Sequence, residues 1–211
     1  MSGTRLIILD WDDTILPSSW VAGEGLRLDE PHVLPARVTA KLQPIEDKAT
    51  KLIQRACELG TVIVITNAET GWVELSAKRF LPAVVPLLGG VKVVSARSEF
   101  EASYPSSPQQ WKMAAFGREI RQALAHPDVG DAQCTVASLG DSVHEREALH
   151  SACRALKSPV VTKSVKFIEH PGLEQLEREM ECVTRAFEDI VSPPGNVDLA
   201  LHVNHHVPEN A

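Results

Sequence analysis

The chain has 211 residues, of which 44% are hydrophobic and 23% charged. This is the composition of one ordinary globular domain with a sizeable core, and it excludes wholesale disorder. Lys and Arg total 21 and Asp and Glu total 28, a net charge of −7, which disfavours nucleic acid because phosphate-backbone binding needs clustered positive charge.

In chain order, Leu6 to Leu9 reads as a buried strand that ends abruptly in Asp10-Trp11-Asp12-Asp13-Thr14. This apolar run is too short for a signal peptide, and nothing approaches the roughly 18 apolar residues of a membrane span. Ile45, Ala49, Leu52, Ile53 and Ala56 share one helical face, with Pro44 suited to the first turn and Gly60 to the stop. Thr61 to Ile65 is a second strand, ending in Thr66-Asn67, and residues 69–81 read as a helix. Val91 to Val94 is a third strand, followed by a helix over 110–125. Cys134 to Leu139 is a fourth, ending in Gly140-Asp141-Ser142, with a helix from Glu145 to Leu156. Val160 to Thr162 and Val165 to Ile168 supply a fifth.

Leu173, Leu176, Met180, Val183, Phe187 and Ile190 form a seam on a last helix. That seam suits docking onto the sheet or a dimer contact, so monomer and homodimer both stay open. Beyond Ile190 the composition turns to Ser-Pro-Pro-Gly and a tail with His202, His205 and His206. The expected organisation is a domain over residues 1–191 and a flexible tail over 192–211. Cysteines 57, 134, 153 and 182 form no C-x-x-C pair, so they read as reduced thiols and the expected location is cytoplasmic.

Strands alternating with helices predict an α/β fold with a mostly parallel sheet, a Rossmann-like three-layer α/β/α sandwich. Ligands of such sheets bind at the strands' carboxyl ends, where the polar residues noted above are expected to converge. Asp10 and Asp12 follow the first strand directly. Two carboxylates this close repel unless a cation neutralises them or one keeps its proton. A helix cap or a solvated acidic turn is the plain alternative. A calcium-binding EF-hand loop fails on spacing, since Ile15 and Val21 stand where Gly and Glu are required.

Taken together, these strand ends resemble the haloacid dehalogenase (HAD) superfamily of phosphohydrolases. Asp10-Trp11-Asp12-Asp13-Thr14 matches its D-x-D-x-T motif, and Thr66-Asn67 its Ser/Thr strand end. Lys112 fits its lysine near a helix start, and Gly140-Asp141-Ser142-Val143-His144-Glu145 its G-D-x-x-x-D motif. All four stand in the family's order. Glu145 departs from the usual Asp and, being longer, is expected to order metal-bound water beside Ser142.

The resemblance implies a phosphatase. Mg²⁺ would be held by Asp10, Asp141 and the backbone carbonyl of Asp12. Asp10 would be the nucleophile and Asp12 the general acid and base. Thr66, Asn67 and Lys112 would hold the phosphoryl oxygens. The acid at Asp12 sets phosphatases apart from dehalogenases. Asp13 falls on a variable position of the motif.

In this superfamily cap inserts choose the substrate. Here 29 residues (15–43) separate Thr14 from Pro44, and 17 separate Val94 from Lys112. The expectation is a flap or short lid over 15–43 and no large cap domain, an open site suited to phosphorylated macromolecules. Trp20, Trp72, Trp111 and Arg97 are rim candidates beside the plain readings of packing and surface salt bridges. The competing functions are a non-catalytic binding or regulatory protein on the same fold and a phosphotransferase of the same superfamily. A response-regulator receiver is disfavoured because its phosphoacceptor follows a later strand than its acidic pair.

Overall fold

The computed structural model of the protein describes residues 4–29, 33–125 and 134–202. Six strands form one sheet: β1 (Arg5–Leu9), β2 (Thr61–Thr66), β3 (Lys92–Ser95), β4 (Cys134–Gly140), β5 (Val160–Lys166) and β6 (Val197–Ala200). Every pairing is parallel, in the order β3-β2-β1-β4-β5-β6. Parallel strands are covered on both faces, and this explains the unbroken apolar runs. Ile7 and Leu9 of β1 point into one core and Leu6 and Ile8 into the other.

The helices are α1 (Ser18–Gly23), α2 (Ala36–Leu59), α3 (Trp72–Phe80), α4 (Val85–Leu88), α5 (Ala96–Phe100), α6 (Pro108–Leu124), α7 (Val143–Arg154) and α8 (Leu173–Val191). One core is closed by α2, α3 and α8, the other by α5, α6 and α7. The result is an α/β fold with flanking helices on both sheet faces. The chain lays β2 and β3 to one side of β1, then crosses to lay β4, β5 and β6 on the other. The switch point therefore falls between β1 and β4, the place where sheets of this kind open a crevice.

Three expectations shift. Helix α2 starts at Ala36, and Pro44 lies inside it rather than in its first turn. Val38 and Leu42 extend the buried stripe of Ile45, Ala49 and Leu52 backwards, and that burial outweighs the missing N–H of an exposed proline. The stretch 15–43 is accordingly less of a flap than expected. Ile15 and Leu16 are fully buried, 18–23 is helical and 36–43 belongs to α2. The tail expected from residue 192 is likewise shorter, because β6 pairs with β5. His202 is exposed, and His205 and His206 lie outside the described residues.

Gly60 ends α2 where β2 begins, and a Cβ there would stand 2.6 Å from the Arg5 carbonyl oxygen. Only glycine lets the two strands start so close. The seam of α8 (Leu176, Met180, Val183, Phe187, Ile190) is buried within the chain, where α8 packs against α2. Among the described residues no helix is long and apolar enough to cross a membrane.

Candidate active site

Asp10 leaves β1 with its backbone N–H still donating to Leu139 of β4 (2.9 Å). The ladder thus carries Asp10 to the switch point, beside the end of β4 and Asp141. On its other flank β1 pairs with β2, whose last residue is Thr66. Lys112 comes from the second turn of α6 and is 1% exposed. Its ammonium donates to the Ile65 carbonyl (2.8 Å) and bonds Asp10 Oδ1 and Glu145 Oε1, the latter at 2.8 Å. Burial opposes this charge, yet the carboxylates of Asp10 and Glu145 more than reverse it and push the lysine's pKa up. The ammonium is a fixed cation between two acids.

Asp12 sits two residues further on, where the chain turns back on itself. The Asp13 N–H donates to the Leu16 carbonyl (2.7 Å) and the Leu16 N–H to the Trp11 carbonyl (2.9 Å). Trp72, the first residue of α3, donates its indole N–H to Asp12 Oδ1 at 2.9 Å. The Thr66 hydroxyl donates to Oδ2 at 3.1 Å and accepts the Ala68 N–H at 2.9 Å. Burial raises the pKa of Asp12, and the Trp72 and Thr66 hydrogen bonds work against that rise.

Asp10 is raised well above the ordinary carboxylate range, by burial first; Lys112 opposes this, while Glu145, Asp12 and Asp141 add to it. Asp141 is pushed up to about 7 by burial, then by Glu145 and Asp13. One ammonium thus faces the carboxyl groups of Asp10, Asp12, Asp141 and Glu145. Such a surplus calls for protons or a hard cation held by oxygen.

Ser142 and Glu145 share a task at the start of α7. The Ser142 side chain caps α7 by accepting the His144 N–H (3.0 Å), and Glu145 Oε2 accepts the Ser142 N–H (3.0 Å). This is a reciprocal capping box, and Glu145 spends its other oxygen on Lys112. The Ser-x-x-Glu spacing that announces it was present in the sequence.

Asn67 donates its side-chain amide to the Pro108 carbonyl (3.2 Å), tying β2 to the start of α6. Asp13, in the left-handed region at φ 53°, accepts the Ser19 N–H (2.9 Å) and the Ser18 hydroxyl (3.3 Å). It anchors the start of α1.

The rim candidates separate. Trp111 is buried and donates to the Tyr104 carbonyl (2.7 Å), and Arg97 pairs with Glu101 (3.1 Å). Trp20 carries Lys41 over its ring at 5.6 Å. Among these four, Trp72 alone has a recorded bond to a site carboxylate, and nothing in the sequence beyond its nearness to Thr66 pointed there.

Among the described residues no three acidic, histidine or cysteine side chains form a metal-binding group. Comparison with protein-family models, curated proteins and solved structures finds no match.

Proposed function

We propose that the chain is a phosphatase of the HAD type, hydrolysing phosphate monoesters through an aspartyl-phosphate on Asp10. The observation that carries the reading is the buried Lys112, which joins Asp10 and Glu145 while Asp12 and Thr66 hydrogen-bond beside them. Four sequence stretches that resemble one family's motifs thus meet at a sheet switch point.

The donor set fits Mg²⁺. Asp10, Asp141 and the backbone carbonyl of Asp12 are hard oxygens, and two side chains plus a carbonyl need no three-carboxylate cluster. When bound, the ion would offset the surplus negative charge and that of the substrate's phosphoryl oxygens.

The residues then divide the reaction. An Asp10 carboxylate oxygen bonds to phosphorus as the bond from phosphorus to the leaving oxygen breaks. Asp12 gives its proton to that leaving oxygen, then takes one from the water that attacks the aspartyl-phosphate. Inorganic phosphate leaves and Asp10 is restored. Lys112, the Thr66 hydroxyl and the N–H groups of Asn67 supply fixed positive dipoles and charge for the phosphoryl oxygens. Between β1 and α2, and between β3 and α6, the described residues hold only the six-residue α1 and the five-residue α5. A site so thinly covered suits phosphorylated macromolecules.

Purified protein should hydrolyse p-nitrophenyl phosphate in Mg²⁺, and either chelation or Asp10→Asn should abolish the turnover. If hydrolysis is absent and beryllofluoride forms no adduct on Asp10, the chain is instead a binding protein on this fold.

A further inference from the structure

We infer that Trp72 is a positioning residue of this site: its indole N–H fixes the Asp12 carboxyl group and confines the transferable proton to Oδ2. The inference rests on the phosphatase reading. It concerns a contact between Trp72 at the start of α3, outside the four motif-like stretches, and Asp12 in the turn after β1.

The argument begins with donors and acceptors. An indole N–H only donates, whereas a hydroxyl both donates and accepts. Trp72 Nε1 lies 2.9 Å from Asp12 Oδ1, and Thr66 Oγ1 lies 3.1 Å from Oδ2. A proton on Oδ1 would confront the indole hydrogen, donor against donor. A proton on Oδ2 meets a hydroxyl that can rotate. Thr66 Oγ1 already accepts the Ala68 N–H, and its second lone pair leaves room for one further donor. The protonated acid therefore presents its hydrogen beside Thr66, the residue that holds the phosphoryl oxygens in the proposed reaction.

The indole is itself held in place. Gly71, which precedes it, stands at φ 90°, a left-handed conformation that suits glycine. The Trp72 backbone N–H donates to the Glu69 carbonyl at 3.1 Å, and the partly buried side chain packs against the core that α2, α3 and α8 close. Other tryptophans serve the scaffold: Trp11 donates to the Ser76 hydroxyl (2.9 Å) and Trp111 to the Tyr104 carbonyl (2.7 Å). Trp72 instead directs its donor at the proposed acid.

The test uses kcat/KM, which reports only the steps up to the aspartyl-phosphate. General acid catalysis is worth about 10²–10⁴-fold and matters most when the leaving oxygen is basic. In Trp72→Phe, the ratio of kcat/KM for p-nitrophenyl phosphate to that for an alkyl phosphate should rise about tenfold or more, as in Asp12→Asn but less steeply. An equal loss on both substrates would mark a merely structural role and overturn the assignment while leaving the phosphatase reading intact. A wild-type protein inactive on both would overturn the two together.

A second measurement does not depend on how the Phe variant folds. In the wild-type protein the Trp72 indole proton should resonate downfield in a ¹H–¹⁵N spectrum and move upfield in Asp12→Ala. An unmoved resonance would show that no such bond exists.

Discussion

The α-carbon of Gly140 carries no side chain, and Glu145 occupies the space. A Cβ added there would lie 2.9 Å from Glu145 Cδ. The carboxylate cannot simply swing away, because Ser142 and Lys112 hold its two oxygens. Gly140→Ala should therefore lower stability by about 1–3 kcal/mol, as overpacking does, and reduce turnover in the proposed phosphatase reaction. Thermal unfolding and p-nitrophenyl phosphate hydrolysis would check the two effects. At this scale the sequence was legible where a residue's chemistry is singular. Lys112 pairs with Asp10, and Thr66 hydrogen-bonds Asp12, at adjoining strand ends. It was illegible where partners are far apart in the chain, as with Trp72 and Asp12, or where one side chain serves two ends, as Glu145 does.

Helix α2 shows how a local rule yields to a longer pattern. Proline favours a helix's first turn, so a start at Pro44 was the natural reading. The stripe Val38, Leu42, Ile45, Ala49, Leu52 and Ala56 is continuous across it, however, and all six are buried. Pro44 faces solvent and takes one backbone hydrogen bond out of the helix. Pro44→Ala restores the N–H that would reach Ala40, and should stabilise the protein by about 1–3 kcal/mol, less the proline's restraint on the unfolded chain. The midpoint of thermal unfolding should rise by about 2–4 °C per kcal/mol. Strand β6 escaped notice for the opposite reason. It is four residues long, mostly exposed, and follows Ser-Pro-Pro-Gly, so no alternation marked it.

The architecture of the whole molecule was the most legible part, because five apolar runs separated by helical stretches leave few parallel arrangements. The switch point then decided where polar strand ends would meet. The global pH response was not legible, since it depends on burial. Glu179 of α8 is buried, and its Oε1 accepts the Ile168 N–H at 2.9 Å. Burial pushes its pKa up to about 7, while the Ile168 N–H and Lys166 oppose the rise. The unfolded chain releases that proton near pH 4.3. Between about pH 4.5 and 7 the folded state thus binds more protons, and this residue's contribution to stability falls as pH rises. Glu179→Gln keeps the acceptor without the charge. Denaturant titrations at pH 5 and pH 8 should show the variant's advantage over wild type larger at pH 8, and vanishing below about pH 4.

Lys163 gives the order of synthesis a structural meaning. It is fully buried in β5, and its ammonium donates to the carbonyls of Pro193 (2.9 Å) and Gly195 (2.7 Å), in the turn that leads into β6. On a ribosome adding about 5–20 residues per second, Glu145 is made several seconds before those carbonyls. A nascent chain halted between Lys163 and Pro193 would carry every residue of the candidate site beside a sheet without β6, with Lys163 lacking those two carbonyls. Of the six strands described, the last to be translated is the one that covers Lys163.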